Sequence, residues 1–365
     1  MLTRRGILAS LSASALMARA AWSAVGAPQV VTAAKTADGS FALLGLSASG
    51  AVVFQVPLPA RGHAAAAHPH LAEVVAIARR PGTFAHVIDC AAGAVTQRLN
   101  APPGRHFYGH GAFSSDGHAL FTTENDIETG AGRVGIWARD DGYRRLGEVA
   151  SGGIGPHEIL RLPNETLAVA NGGIRTHPDR GREKLNLATM RPNLTILSAE
   201  GRIVDQAEVA EKDHQNSLRH IAVLPNGTVV CGHQWQGDLY AAPSLVSLYR
   251  GQGELTPVEM DEALKRRMRG YIGSMGAVGA QTIVASAPRG DLITAFDLSS
   301  GMQASYQSTD VCGVASSAAP ASVVTDGGGG VYRISAQGLA EQARHPVAFD
   351  NHAVGVTVSD EIHLR

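Results

Sequence analysis

One local pattern recurs along this chain and limits what it can become. A histidine opens a short apolar run, a turn signal follows, and a second apolar run returns. The pattern is clearest at Tyr108-Gly109-His110-Gly111-Ala112-Phe113, Gly155-Pro156-His157-Glu158-Ile159-Leu160, Leu218-Arg219-His220-Ile221-Ala222-Val223 and Asp350-Asn351-His352-Ala353-Val354-Gly355. Ser115-Asp116-Gly117, Leu162-Pro163-Asn164 and Pro225-Asn226-Gly227 supply the turns after the first three, and Ala119–Thr123, Thr166–Ala170 and Thr228–Cys231 the returning strands. A hairpin repeated at related positions marks a repeat architecture.

The same frame finds Arg61-Gly62-His63-Ala64, Gly273-Ser274-Met275-Gly276 and Asp310-Val311-Cys312-Gly313. The marker positions 63, 110, 157, 220, 275, 312 and 352 are then spaced by 47, 47, 63, 55, 37 and 40 residues. That is near the length of a four-stranded propeller blade. The longer gaps hold insertions, one from Gly172 to Asn193 and one from Gly251 to Arg269, in which Val258–Arg269 reads as a short helix. Strand-like pieces around Val30–Thr32, Phe41–Leu44 and Val52–Val56 precede His63, while little more than one strand follows His352. The last strand should therefore complete a blade begun at the N-terminus, which closes the ring and removes free edges. The fold expected is all-β, a seven-bladed β-propeller closed by pairing of N- and C-terminal segments. Six blades, or a two-domain β-sandwich, is the competing arrangement. Composition agrees: 44% hydrophobic against 17% charged residues allows a large core, and 42 glycines suit many turns.

In a propeller the first strand of each blade lines the central channel. The markers would form one ring of His63, His110, His157, His220, Met275, Cys312 and His352, all nitrogen or sulfur donors. Any one of these histidines is explained by hydrogen bonds to loop backbone. The set together points to a transition-metal site, because imidazole, thioether and thiolate suit copper, iron or zinc, whereas calcium and magnesium want oxygen ligands. The soft donors tilt the expectation toward copper, with iron next. Seven donors exceed one ion, so a subset or a multinuclear centre is implied. Loops after the second strands should place Glu124, Arg175, His177, His233, Trp235 and Arg289 at the channel mouth, where the arginines would suit an anionic ligand or a docking partner.

The chain opens Thr3-Arg4-Arg5-Gly6 before a mild apolar stretch, Ala9 to Ala21. That start reads as a twin-arginine export signal over residues 1–27, cut somewhere among Ala20 to Ala27, with the propeller occupying 28–365. The protein is expected to be periplasmic and exported folded. No segment offers the roughly 18 consecutive apolar residues of a membrane span. The 32 acidic and 31 basic residues nearly cancel without a basic block, which argues against nucleic-acid binding. Cys90 and Cys231 lie in strand-like runs and read as buried, inert thiols. His86 reads as a strand residue, and His118 and His363 as exposed.

The twin-arginine start, residues 109–117, Ile154-Gly155-Pro156-His157-Glu158 and Leu218–Ala222 together resemble a bacterial family of exported propeller-like proteins without assigned activity. Its members are often encoded beside imelysin-type iron-regulated periplasmic proteins and a dihaem oxidoreductase-like protein. The resemblance covers nearly the whole mature chain. It implies periplasmic acquisition or handling of a metal, iron in the first place. A periplasmic metal-handling protein is the expected partner, and the chain is expected to be a monomer. Met275 and Cys312 depart from the histidine pattern and leave the participation of their blades open. Two other readings stand beside this one. His110–Gly117 followed by Phe121–Asp126 is also similar to lactonase-type propellers, in which His, Arg and Glu near the channel mouth would polarise and open a lactone. No Gly-x-Ser-x-Gly elbow or HExxH accompanies it. The third reading is a scaffold that binds a partner protein on one propeller face.

Overall fold

The structure is a computed structural model and describes residues 20–356. Seven four-stranded antiparallel sheets span 64–100, 105–154, 156–208, 216–257, 274–307, 311–344 and, for the last, 347–355 together with 30–58. In the closing sheet Val347–Gly355 pairs antiparallel with Val30–Thr36, so the final strand is the innermost of a blade whose outer strands come from the N-terminal side. Seven blades and terminal closure are therefore as the repeat pattern indicates. Each of the seven marker residues lies on an innermost strand or, for His63, immediately before one.

The core lies between the blades. Seven apolar clusters each bridge two neighbouring sheets. One joins Val75, Ile77 and Val87 to Phe107, Leu120 and Trp137; another joins Val30, Leu44 and Phe349 to Val323 and Val331. Alternation along each strand sends one side chain to each neighbouring blade, so a middle strand such as Leu167–Asn171 is buried throughout. The expected short helix is Glu262–Arg267. Its N-cap Asp261 accepts from the Leu264 N–H, and Leu264 seats it in the cluster between the 216–257 and 274–307 sheets. Arg61 and Asp350 add a two-pronged ion pair at 2.8 and 2.9 Å, tying the segment before His63 to the strand that carries His352.

The proposed leader meets the fold at its downstream end. Trp22 is buried in the cluster shared by the closing sheet and the 64–100 sheet, and its indole N–H donates to the His68 carbonyl at 2.8 Å. The N-terminal arginine pair and His363 lie outside the described residues. Among the described residues no helix is long and apolar enough to cross a membrane.

Candidate metal centre

Most marker histidines leave the regular ladder of their blade. Register between the first and second strands shifts across Phe107–Gly111, Pro156–Glu158 and Leu218–His220, and in the closing sheet the shift falls opposite Asn351 and His352. Such bulges rotate a side chain off the sheet face. His63 precedes the first ladder pair of its sheet. Gly109, at φ +106°, gives the ring of His63 its space: a Cβ there would sit 2.3 Å from His63 Cδ2.

The result is a compact nest of five imidazoles. Ring centroids lie 4.6 Å apart for His110 and His352, 4.8 Å for His63 and His352, 4.8 Å for His157 and His220, and 4.9 Å for His110 and His157. One nitrogen from each of His63, His110 and His352 falls within 4.8 Å of the others, and all three residues are buried. His110 Nε2 and His157 Nδ1 are buried without a hydrogen-bond partner. Two orphaned ring nitrogens in one nest cost more than a core of ordinary satisfied histidines would accept.

Burial, reinforced by the neighbouring imidazoles, holds His63, His110 and His157 well below the usual histidine value. Burial and the adjacent Arg219 bring His220 to about 3, and burial and His220 bring His352 to about 4. The nest is thus neutral, with ring lone pairs free to coordinate. Glu158 brings a carboxylate to the nest, its oxygens 3.7 Å from His110 Nδ1 and 3.3 Å from His220 Nδ1. The Ile221 N–H donates to the same carboxylate at 3.0 Å. Burial raises Glu158 to about 7 against the pull of His352 and that N–H. A carboxylate turned toward the far ring nitrogen of a histidine orients it for coordination and tunes its basicity.

Met275 and Cys312 do not join the nest. The Met275 blade keeps an unbroken ladder, with Ser274 opposite Ser286, Met275 opposite Ala285 and Gly276 opposite Val284. Its side chain therefore stays on the sheet face and packs between blades, beside Gly232, where a Cβ would sit 2.2 Å from Met275 Sδ. Cys312 does sit at a register shift, yet its short side chain ends in an apolar cluster and its Sγ donates to the carbonyls of Thr325 and Phe349 at 3.4 and 3.6 Å. Burial pushes its thiol up to about 12. The described cysteines are all free and buried, and Cys90 is likewise pushed up to about 12.

Above the nest a cavity of about 200 Å³ opens at the channel mouth, with His63, His157, His220 and His352 in its lining. Arg79, Arg80, Arg182, Lys184, Arg219 and Arg289 surround it, with Tyr108, Tyr271 and Asn351 between them. Of the residues expected at the mouth, Arg289 lines this cavity, stacked over the Tyr271 ring at 4.3 Å. The other five lie elsewhere. Glu124 is fully buried inside its blade, where it accepts from Arg145 at 2.7 and 2.8 Å and from the Thr122 hydroxyl, itself bonded by the Trp137 indole. His233 is buried between the Asn216 carbonyl and the Ser247 hydroxyl. Trp235 donates to the Asp238 carbonyl, His177 caps the turn Pro178–Arg180, and Arg175 donates to the Glu128 carbonyl. The second strands run to Asp126 and Trp235, so positions read as loop belong to the ladder. His118 is exposed beside Asp140, and His86 lies within a strand.

Residues 56–356 match a family described as "Protein of unknown function (DUF1513)". The chain belongs to that family. No curated protein matches it. Among solved structures it is similar to Kuenenia stuttgartiensis hydrazine synthase, at 14% identity and a TM-score of 0.59 over 87% of this chain and 95% of that one. It is similar also to a streptogramin B lyase, at 12% identity and a TM-score of 0.54 over 78% and 84% of the two chains. A chain of a mitotic checkpoint complex matches at 11% identity and a TM-score of 0.57 over 80% and 83%. These likenesses establish the propeller fold of the DUF1513 chain.

Sequence reasoning missed Glu158, Arg219 and Asn351, each directly beside a marker histidine, and the Arg79-Arg80 pair after the second strand of the first sheet. The adjacency was a usable signal. Where a bulge turns a histidine into the channel, its neighbour is delivered to the channel as well.

Proposed function

We propose that this protein binds a transition metal, copper or iron, in the channel nest, with His63, His110 and His352 as primary ligands and His157 and His220 completing or enlarging the site. The observation that carries this reading is the buried, unpartnered Nε2 of His110 in a nest where nitrogens of His63, His110 and His352 lie within 4.8 Å. With Met275 and Cys312 turned into the blade interfaces, the donors are imidazole and one carboxylate, a set that suits copper and iron equally well. The preference for copper that rested on sulfur donors is therefore dropped. The twin-arginine start and the resemblance to proteins associated with imelysin-type partners support a periplasmic role in acquiring or handing on the metal, as a monomer meeting a periplasmic metal-handling protein. A cut after Ala20 would leave Trp22 in its pocket. Elemental analysis of exported protein tests the reading: stoichiometric copper or iron is expected, and its loss in folded His63→Ala/His110→Ala/His352→Ala protein. A parent that takes up neither ion on reconstitution would refute it.

A further inference from the structure

The channel mouth gathers cations that the metal reading does not require. Six cations, Arg79, Arg80, Arg182, Lys184, Arg219 and Arg289, line one cavity of about 200 Å³, and among the described residues no Asp or Glu lines it with them. The chain as a whole is almost neutral, with 31 basic and 32 acidic residues, so this concentration is local. Elsewhere its arginines are typically paired: Arg61 with Asp350, Arg105 and Arg145 with Glu148, Arg139 with Glu73, Arg191 with Glu208. At the mouth, among the described residues, Arg219, Lys184 and Arg289 contact neutral groups. Arg219 Nε donates to the Ser217 hydroxyl at 2.9 Å, Lys184 to the Gln236 side-chain oxygen at 2.6 Å, and Arg289 stacks on Tyr271.

Like charges gathered in a concave site without counter-charge repel one another, and an anion placed among them relieves that repulsion. Guanidinium forks match the paired oxygens of carboxylate and phosphate. The cations come from widely separated segments, so several can contact one small ligand at once. A cavity of this size admits a small molecule and not a stretch of polymer.

We infer that the channel mouth is a binding site for a small oxyanion bearing two or more negative charges, held by Arg219 at the base and by Arg79, Lys184 and Arg289 around the rim. His220 and His352 line the same cavity as this anion. A bound polycarboxylate or phosphate would therefore stand against the histidine nest, between it and solvent.

Calorimetric titration of metal-free protein at low ionic strength tests this independently of the metal site. The probes are citrate and inorganic phosphate, which separate a polycarboxylate from a phosphate ligand, with acetate as a singly charged comparison. Saturable binding of citrate or phosphate, at least tenfold tighter than acetate and weakened by added salt, is expected. Arg79→Gln/Lys184→Gln/Arg289→Gln protein, altered only at exposed positions, should bind at least tenfold more weakly. Arg144→Gln/Arg202→Gln protein, altered in exposed cations outside the mouth, should bind as the parent does. No saturable binding of either multivalent probe, or equal affinity in the mouth variant and the parent, would overturn the inference. Failure of the parent protein to take up copper or iron, with anion binding intact, would count against the metal site alone.

Discussion

Five positions of the marker ring and the remaining two behave differently although they occupy the same place in the repeat. His110, His157, His220 and His352 sit at breaks in the strand ladder, and His63 sits just ahead of the first ladder pair of its sheet, so their rings leave the sheet faces and meet in the channel. Met275 sits on an unbroken ladder and fills the space between blades. Cys312 has the break without the reach, and its thiol settles onto two carbonyls. Equivalent positions in a repeat thus do not make equivalent ligands. The ladder break together with side-chain length decides which side chains the channel receives.

The largest expected effect follows from that contrast. Replacing His63, His110 and His352 with alanine should abolish stoichiometric metal, whereas Met275→Leu/Cys312→Ser protein should keep it all, both read by elemental analysis of folded material. Equal loss in the two variants would erase the distinction between the arcs.

Stability should follow the opposite order. Met275→Ala opens a cavity in a packed interface and should cost about 2–5 kcal/mol in denaturant unfolding, with metal retained. Glu124→Ala removes the buried acceptor of Arg145 and of the Thr122 hydroxyl, leaves Arg145 with Glu148 alone, and should cost about 1–3 kcal/mol, again without touching metal or anion binding. A Glu124 variant that loses ligand binding while keeping its stability would return that residue to the mouth.

A smaller effect concerns thiol chemistry. Burial holds the Cys312 thiol protonated at neutral pH, so thiol-directed reagents should label neither the metal-free nor the metal-loaded folded protein. Labelling that metal suppresses would indicate a thiolate ligand.

The smallest effect separates the nest from a buried histidine outside it. His68 Nδ1 accepts from the His70 and Leu71 N–H groups, each at 3.0 Å, and burial brings its pKa to about 4. The unfolded chain then takes up this proton first as pH falls. The stability linked to His68 is complete above about pH 6.5 and is eroded between there and about pH 4. His68→Asn keeps an acceptor without the titration. It should make the acid limb of a stability–pH curve shallower and leave metal content unchanged.

The blade count and the terminal closure were readable because hairpins repeat and because their turns announce themselves with Asp116-Gly117, Pro163-Asn164 and Asn226-Gly227. The five histidines were readable because they recur at one place in the repeat, although His110, His220 and His352 lie within their inner strands and not at the strand starts. The departures of Met275 and Cys312 were not. A register shift is a relation between two strands, and nothing in Gly273-Ser274-Met275-Gly276 distinguishes an intact ladder from a broken one. The mouth was misread for a related reason. Glu124 alternates with Thr122 on a strand that continues to Asp126, and this period of two buries both against the same blade. Arg79 meets Lys184 and Arg219, each more than a hundred residues later in the chain, only because the ring sets their blades around one opening.

The most direct test of the account is X-ray absorption at the metal edge of reconstituted protein. The account predicts a first shell of nitrogen and oxygen alone, with imidazole nitrogens at about 2.0–2.1 Å. A sulfur neighbour at about 2.3 Å, or a spectrum without imidazole scattering, would contradict it.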